Sequence, residues 1–432
     1  MRTRMHMAVV LSAIALAGCG TTPSSVPGVS PTFKPVATVM PTGQPSPTLP
    51  SRPSPGAFTT PVPPPANASW TAIRWRKLAS DDPLALVRSA LRWSGGFIAV
   101  GGDPSGSAMW TSRDGAQWEP LPFNTATTFW PGLLVVGVAE FRAGLVALTM
   151  LAGPNDCGGA PFCQTYNPPA LSWTSPDGRT WTPHGSPDVG LPAQWRATPL
   201  FTGGPAGLVA ASPASPARMA TSVDGIHWRT VPAGALPSGL PIGDIVGTSA
   251  GFTAVGALAV SEDHYRAVAL QSVDGDTWTG PYPLHLVSAS GVILASTGPS
   301  WGAAALVAAH NGLIAIGSVL GATPGETLWW QSANGRDWQP LPSYPPLGPT
   351  TCIGEGCGSQ PNGALVGDGH RMVALRGGAD AGVWTSLDGL TWQRLPVTGD
   401  LPGEQATQAV LLPGGVLLSD GTTTWFGEAQ GR

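Results

Sequence analysis

Few residues in this chain have both the type and the placement for chemistry. Asp244, on a predicted first strand of a repeat unit, with Asp103 or Glu355 on loops, is the pair of carboxylates that cleaving a glycosidic bond needs, one as acid and one as base or nucleophile. Carboxylates outside a repeated turn motif are nevertheless too scattered to select this pair or any other, and no catalytic residue is assigned. The seven histidines, including His310 and His370 at predicted hairpin turns, read as solitary, which fits structural or solvated roles. No Ser-His-Asp spacing, phosphate-cradling loop or metal cluster is present, so neither a cofactor nor a metal is expected. Aromatic residues offer another kind of site. Phe129 with Trp130, Phe162 with Tyr166, and Trp195 fall in neighbouring predicted loops with few charges around them. Trp130, Phe162, Tyr166 and Trp195 are the candidate ligand face, suited to sugar rings or a peptide, although each alone equally suits packing beneath its own loop.

The elements that must position these groups are announced by composition. The 432 residues allow one large β domain or two to three ordinary ones. Only 11% are charged, while Gly numbers 58, Pro 47 and Trp 18, a profile of many short strands and turns rather than helices. The net charge of −4, with no basic run outside the extreme N-terminus, leaves nothing to hold a phosphate backbone and excludes nucleic acid as a partner.

Arg2 and Arg4 precede an apolar run from Met7 to Ala17, the order of a secretory signal and too short to span a bilayer. The run ends Leu16-Ala17-Gly18-Cys19, which resembles the bacterial lipoprotein signal motif. That resemblance implies a signal peptide over 1–18 and acylation of Cys19, anchoring the chain to the membrane on its extracytoplasmic face in the bacterial envelope. Residues 19–69 are rich in Pro, Ser and Thr, as in Pro61-Val62-Pro63-Pro64-Pro65, and read as a disordered tether. At ~3.1 Å per residue such a segment reaches up to ~150 Å. In an exported chain, with Cys19 set aside, Cys157 with Cys163 and Cys352 with Cys357 imply two disulfides, most simply one within each loop. A zinc site is the alternative, disfavoured because no histidine accompanies either pair at ligand spacing.

From residue 70 to 432 two motifs alternate. The first is Gly, a large apolar residue, a β-branched or small one, Ala, then an apolar one. It begins at Gly96, Gly144, Gly207, Gly251 and Gly312, persists without the glycine at Arg371-Met372-Val373-Ala374-Leu375, and is degraded at Gly415. Each copy reads as a strand buried on both faces that leaves a hairpin. The second is Ser-x-Asp-Gly-x-x-Trp, at Ser112, Ser175, Ser222, Ser272 and Ser386, with Asn334 replacing Asp in the copy at Ser332. Its turn residues are Asp114, Asp177, Asp224, Asp274, Asn334 and Asp388. Glycine after Asp or Asn accepts positive φ, and the Asp and Ser oxygens cap turn N–H groups. Trp110, Trp173, Trp330 and Trp384, just before the turn, are placed to pack on a neighbouring sheet.

The form Ser-x-Asp-Gly-x-Thr-Trp, complete at Ser175, Ser272 and Ser386, resembles the Asp-box of bacterial neuraminidase-type repeats. The resemblance implies an all-β propeller in which the box closes the hairpin between the third and fourth strands of each blade and is structural. Box tryptophans at 118, 181, 228, 278, 338 and 392 are spaced 63, 47, 50, 60 and 54 apart, which fits four strands and variable loops per unit. The unit at Gly415 lacks a fourth strand, and Ile73-Arg74-Trp75-Arg76-Lys77-Leu78 looks like a fourth strand with none before it. Seven blades closed by that N-terminal strand follow; six or eight would also fit the spacing, but seven Gly-type copies and seven Trp strands agree.

The resemblance further implies that the boxes share one face and that the longer connections lie on the other, where binding is expected. Sialidase-like chemistry would require an arginine triad, a Tyr activated by Glu, and an Asp acid. The Arg-Ile-Pro signature is absent, Trp195-Arg196-Ala197-Thr198-Pro199 being its nearest echo; Arg88, Arg196 and Arg371 come from separate blades; and Tyr166, Tyr265, Tyr282 and Tyr344 sit in predicted loops or near strand starts. The chain therefore reads first as a monomeric, membrane-anchored binding or scaffold module for an envelope protein or glycan. The alternatives are a glycoside hydrolase, possibly sialidase-like, and a purely structural spacer.

Overall fold

The computed structural model describes residues between Trp70 and Gly431, apart from 122–132, 153–165, 185–199, 286–300, 320–326, 342–362, 401–407 and several shorter gaps. All belong to one compact unit, Thr60–Arg432. Among the described residues no helix is long and apolar enough to cross a membrane. Cys19, the tether and the cysteines 157, 163, 352 and 357 lie outside the described residues.

Seven sheets, each built on four antiparallel strands, follow one another around a ring and form a seven-bladed β-propeller. The first strands of blades 1 to 7 are Val87–Trp93, Leu133–Phe141, Leu200–Gly204, Ile242–Thr248, Trp301–Ala309, Gly363–Gly367 and Gln408–Leu412. Each touches the next, and the seventh touches the first, so the ring is closed and these strands are innermost.

The second strands carry the Gly-type motif, and the register explains its alanine. Ala99, Ala147, Ala210, Ala254, Ala315 and Ala374 are each fully buried. Four of them pair directly with the third-strand tryptophans: Ala99 with Trp110, Ala147 with Trp173, Ala315 with Trp330 and Ala374 with Trp384. A methyl group opposite an indole leaves room for the ring to cross onto the preceding blade. Trp173 thus packs with Ile98 and Met109 of blade 1, and Trp330 with Val255 and Ala269 of blade 4. Trp384 packs with Ile314 and Ile316 of blade 5, and Trp110 with Val410 and Leu417 of blade 7. Blade 3 has Ala220 in place of the tryptophan, paired with Ala210, and there Phe201 and Trp228 fill the junction with ring centroids 5.9 Å apart.

Ring closure is made by Ala72–Lys77, which pairs antiparallel with Thr424–Gln430 as the fourth strand of blade 7. Its side chains alternate, with Ile73 and Trp75 buried and Arg74 and Arg76 exposed. A fifth strand, Val397–Gly399, lies parallel along its outer edge. Gly399 has φ +85°, and a Cβ there would stand 2.1 Å from the Trp75 carbonyl oxygen, so only glycine permits the approach.

Candidate functional site

The six Ser-x-Asp-Gly-x-x-Trp turns join third to fourth strands. In the box at Ser386 the serine hydroxyl donates to Asp388 Oδ1 at 3.0 Å and accepts the Gly389 N–H at 2.8 Å. The same Oδ1 accepts the N–H groups of Leu390 and Thr391 at 2.8 and 2.7 Å, and the Trp392 indole donates to the Gly389 carbonyl at 3.1 Å. Asp114, Asp224 and Asp274 are held in the same way by Ser112, Ser222 and Ser272, and Asp177 by Ser175. Asn334 uses its Oδ1 as the carboxylates do, while its Nδ2 donates to Asp337 Oδ2 at 2.7 Å. An oxygen that accepts three donors, as in the boxes at Ser175, Ser222, Ser272 and Ser386, is a turn lock, not a base.

These turns also lock blade to blade. Box glycines have φ between +69° and +83° and rest on the preceding blade: a Cβ on Gly225 would stand 2.6 Å from Val146, and one on Gly389 2.9 Å from Ile314. Polar bridges run beside them. Arg179 of blade 2 pairs with Glu119 of blade 1, Arg229 of blade 3 with Asp276 of blade 4, and Arg336 of blade 5 donates to Gln271 of blade 4 at 2.8 Å. The turns between first and second strands lie on this same face, since a Cβ on Gly96 would meet the Ser112 carbonyl and one on Gly312 the Ser332 carbonyl.

Electrostatics sort the carboxylates into two kinds. Burial pushes Asp177, Asp224 and Asp388 up, but hydrogen bonds outweigh it and hold all three below the ordinary range. Asp224 falls to about 2, with the His227 ring and N–H as its main donors. Asp244 goes the other way: burial raises it to about 6, against the pull of the Leu306 and Ile245 N–H groups at 2.8 and 2.7 Å. It sits at an irregularity in the first strand of blade 4, deep in the ring yet with part of its residue accessible. Both its oxygens are engaged by backbone, so it clamps blades 4 and 5 rather than standing free as an acid.

The histidines are not all solitary. His227 Nδ1 is 2.7 Å from Asp224 Oδ2, and His184 of blade 2 is hydrogen-bonded to Thr174 at 2.8 Å. Burial lowers the His184 pKa, partly offset by Asp224 and reinforced by His227, so the three groups share one interblade environment. Residues distant in sequence meet here through the ring, which the spacing of histidines along the chain does not reveal. Among the described residues no group of three or more His, Cys, Asp or Glu is placed to hold a metal.

Trp130, Phe162 and Trp195 lie outside the described residues, as do Glu355, Arg196, Tyr344, His310 and His370. The side chains of Tyr166, Arg88 and Asp103 are likewise outside them, although Tyr166 opens the strand Tyr166–Ser175. Arg371 stacks over Trp70, 4.6 Å from the ring centroid. Tyr282 is near the end of the strand Trp278–Pro283 rather than at a strand start, and donates to Thr279.

Sequence reasoning assigned no ligand to the box face, yet a cavity of about 400 Å³ opens there between blades 1 and 2, lined by Trp93, Ser94, Gly95, Thr111, Arg113, Pro176, Asp177 and Arg179. The signal for it was the Ser-Gly-Gly turn at residues 94–96, too short-chained to fill the junction.

No protein-family model and no curated protein sequence matches the chain. Similar solved structures include YCF48 bound to D1 peptide, at 14% identity and TM-score 0.45, covering 84% of this chain and 98% of its own. The α-L-arabinofuranosidase Arb93A from Fusarium graminearum is 13% identical, with TM-score 0.38 and the same coverage. A Trypanosoma rangeli sialidase is 11% identical, with TM-score 0.37, covering 80% of this chain and 53% of its own.

Proposed function

We propose that this chain is a lipid-anchored, extracytoplasmic β-propeller that binds an envelope protein or glycan and performs no chemistry. The observation that carries this reading is the division of labour between carboxylates and connections. The box carboxylates are consumed by turn hydrogen bonds, and Asp244 is consumed by backbone donors of two blades. Fourth strands end, and the next first strands begin, at the edge away from the boxes, and the chain between them is long and variable in length, 122–132, 185–199, 286–300 and 342–362. A rigid closed ring with variable connections at one edge is a scaffold for recognition. The sequence Leu16-Ala17-Gly18-Cys19 after an apolar run supports acylation of Cys19, and residues 19–69 support a tether to the ring over 70–432, which Asp-box repeats of the neuraminidase type would build.

The test has two readouts. The full chain should fractionate with membranes and incorporate labelled fatty acid, and Cys19→Ser should lose both; membrane retention by that variant would overturn the anchor. Cross-linking on intact cells, with Trp130→Ala/Trp195→Ala as the comparison, should capture an envelope component with the parent only. Equal capture by both would overturn the assigned face.

A further inference from the structure

We propose that the cavity between blades 1 and 2, on the box face, is a binding site for a small hydroxy-carboxylate, an acid of the size of a uronate. It is separate from the opposite edge, to which the binding function is assigned above.

The equivalent place at the next junction shows why this one is open. In blade 2 the first-to-second turn is Phe141-Arg142-Ala143-Gly144, and Arg142 lies over the Phe141 ring, 4.9 Å from its centroid, while donating to the Val223 carbonyl of blade 3 at 2.8 Å. Val223 follows the box serine Ser222. In blade 1 the turn is Trp93-Ser94-Gly95-Gly96, so Ser94 stands where Arg142 stands, and Pro176, which follows the box serine Ser175, stands where Val223 stands. A hydroxymethyl group cannot span to blade 2. The junction that Arg142 plugs is therefore left as a cavity, with Ser94 and Pro176 both in its lining.

The charges around the cavity are unequally spent. Asp177 accepts the N–H groups of Arg179 and Thr180 and the hydroxyls of Ser175 and Thr180. Arg179 is paired with Glu119. Among the described residues Arg113 has no ion pair or hydrogen bond, and it is exposed at the rim. Its planar fork matches a carboxylate at two points. Glu140 of blade 2 stands beside the cavity, where one of its oxygens accepts the Ser94 N–H at 3.0 Å, but it is not part of the lining, whose one carboxylate, Asp177, is held by its own turn, so Arg113 is the charge that faces the ligand.

The rest of the lining selects a hydroxylated body for that acid. The Ser94 hydroxyl has no partner among the described residues, and the Thr111 hydroxyl donates to the Phe97 carbonyl at 3.4 Å, leaving its oxygen to accept. Trp93 contributes an apolar surface; its buried indole N–H lacks an acceptor, but so do those of Trp75, Trp228 and Trp329, so it weighs less than Arg113. The volume lies at the lower end of the range for small-molecule sites, roughly 300–1,000 Å³, and suits one sugar-sized acid.

The experiment is equilibrium binding of glucuronate to the full chain, with glucose and sulfate as comparison ligands. Glucuronate should bind saturably and at least tenfold more tightly than either. Arg113→Gln, which alters an exposed and unpaired side chain, should weaken it at least tenfold with an unchanged melting temperature. Ser94→Arg, which supplies the plug seen at Arg142, should do the same. No saturable glucuronate binding, sulfate or glucose binding as tightly, or undiminished binding by Arg113→Gln would each overturn the proposal. If Ser94→Arg does not fold, Arg113→Gln with the two comparison ligands decides it.

Discussion

The Asp244 carboxylate, on the innermost strand of blade 4, accepts the Leu306 N–H from the innermost strand of blade 5 at 2.8 Å, and among the described residues its hydrogen-bond partners are backbone amides. It is a junction made by a buried acid and a backbone amide, and its strength depends on where that acid's proton sits.

Asp244 titrates near 6 when folded and at 3.8 as an ordinary Asp, so folding takes up a proton between those values. Stability is greatest below the unfolded value and falls as pH rises through 6, by about 3 kcal/mol in all at roughly 1.4 kcal/mol per pH unit. Asp177, Asp224 and Asp388 have the opposite sign: what they contribute is present above 3.8 and lost as pH falls toward their depressed values. The ring should therefore be most stable at about pH 4–5. Thermal melts across pH 3 to 7 test this, and Asp244→Asn should abolish the decline on the upper side; an unaltered decline in that variant would refute the assignment.

The N-terminal strand should be indispensable. Removing residues 70–78 deprives blade 7 of its fourth strand and strips the partner from Val397–Gly399, so calorimetry should show no cooperative transition. Trp75→Ala, at a residue with 2% exposure, should cost about 3–5 kcal/mol. A near-parental melt for the deletion would mean the ring closes without it.

The alanine opposite each tryptophan should resist enlargement. Ala147→Val places two methyl groups against Trp173, both residues having 0% exposure, and should cost about 1–3 kcal/mol by urea denaturation. Ala210→Val, which faces Ala220 where the other blades have a tryptophan, provides the contrast. Equal losses at the two sites would show that the indole does not set the limit.

Asn334→Asp would restore the more frequent box residue, yet it should destabilise. It replaces an amide donor to Asp337 with a second carboxylate at that distance, a loss of about 1 kcal/mol at neutral pH. The loss should vanish in the pair with Asp337→Asn, where the second carboxylate is removed. If Asn334→Asp stabilises the chain, Asp337 is not the reason asparagine stands here.

The blades were legible because their grammar is local. Glycine, alanine and tryptophan recur at fixed offsets, and each offset reports a contact within one hairpin or across one strand pair, as Ala374 opposite Trp384 does. Closure by Trp75 was legible because its strand repeats the pattern after Trp392. Three features were not. Val397–Gly399 has three residues, too few for any periodicity, and is held by a parallel partner more than 300 positions away. The His184, Asp224 and His227 environment joins two blades whose rotation about the ring decides which side chains meet. The cavity beside Arg113 depends on Ser94 being shorter than its counterpart Arg142, a comparison that gains meaning only once both turns face the next box.

The strand Ala72–Lys77 has neighbours along both edges, antiparallel on one side and parallel on the other. Tension applied along its axis from residues preceding Trp70 would load both rows of hydrogen bonds in shear, sharing the force among them instead of peeling them one by one. Blade 7 is thus built as a mechanical anchorage at both of its ends, because the strand Thr424–Gln430 is likewise held along both edges, by Ala72–Lys77 and by Gly415–Ser419.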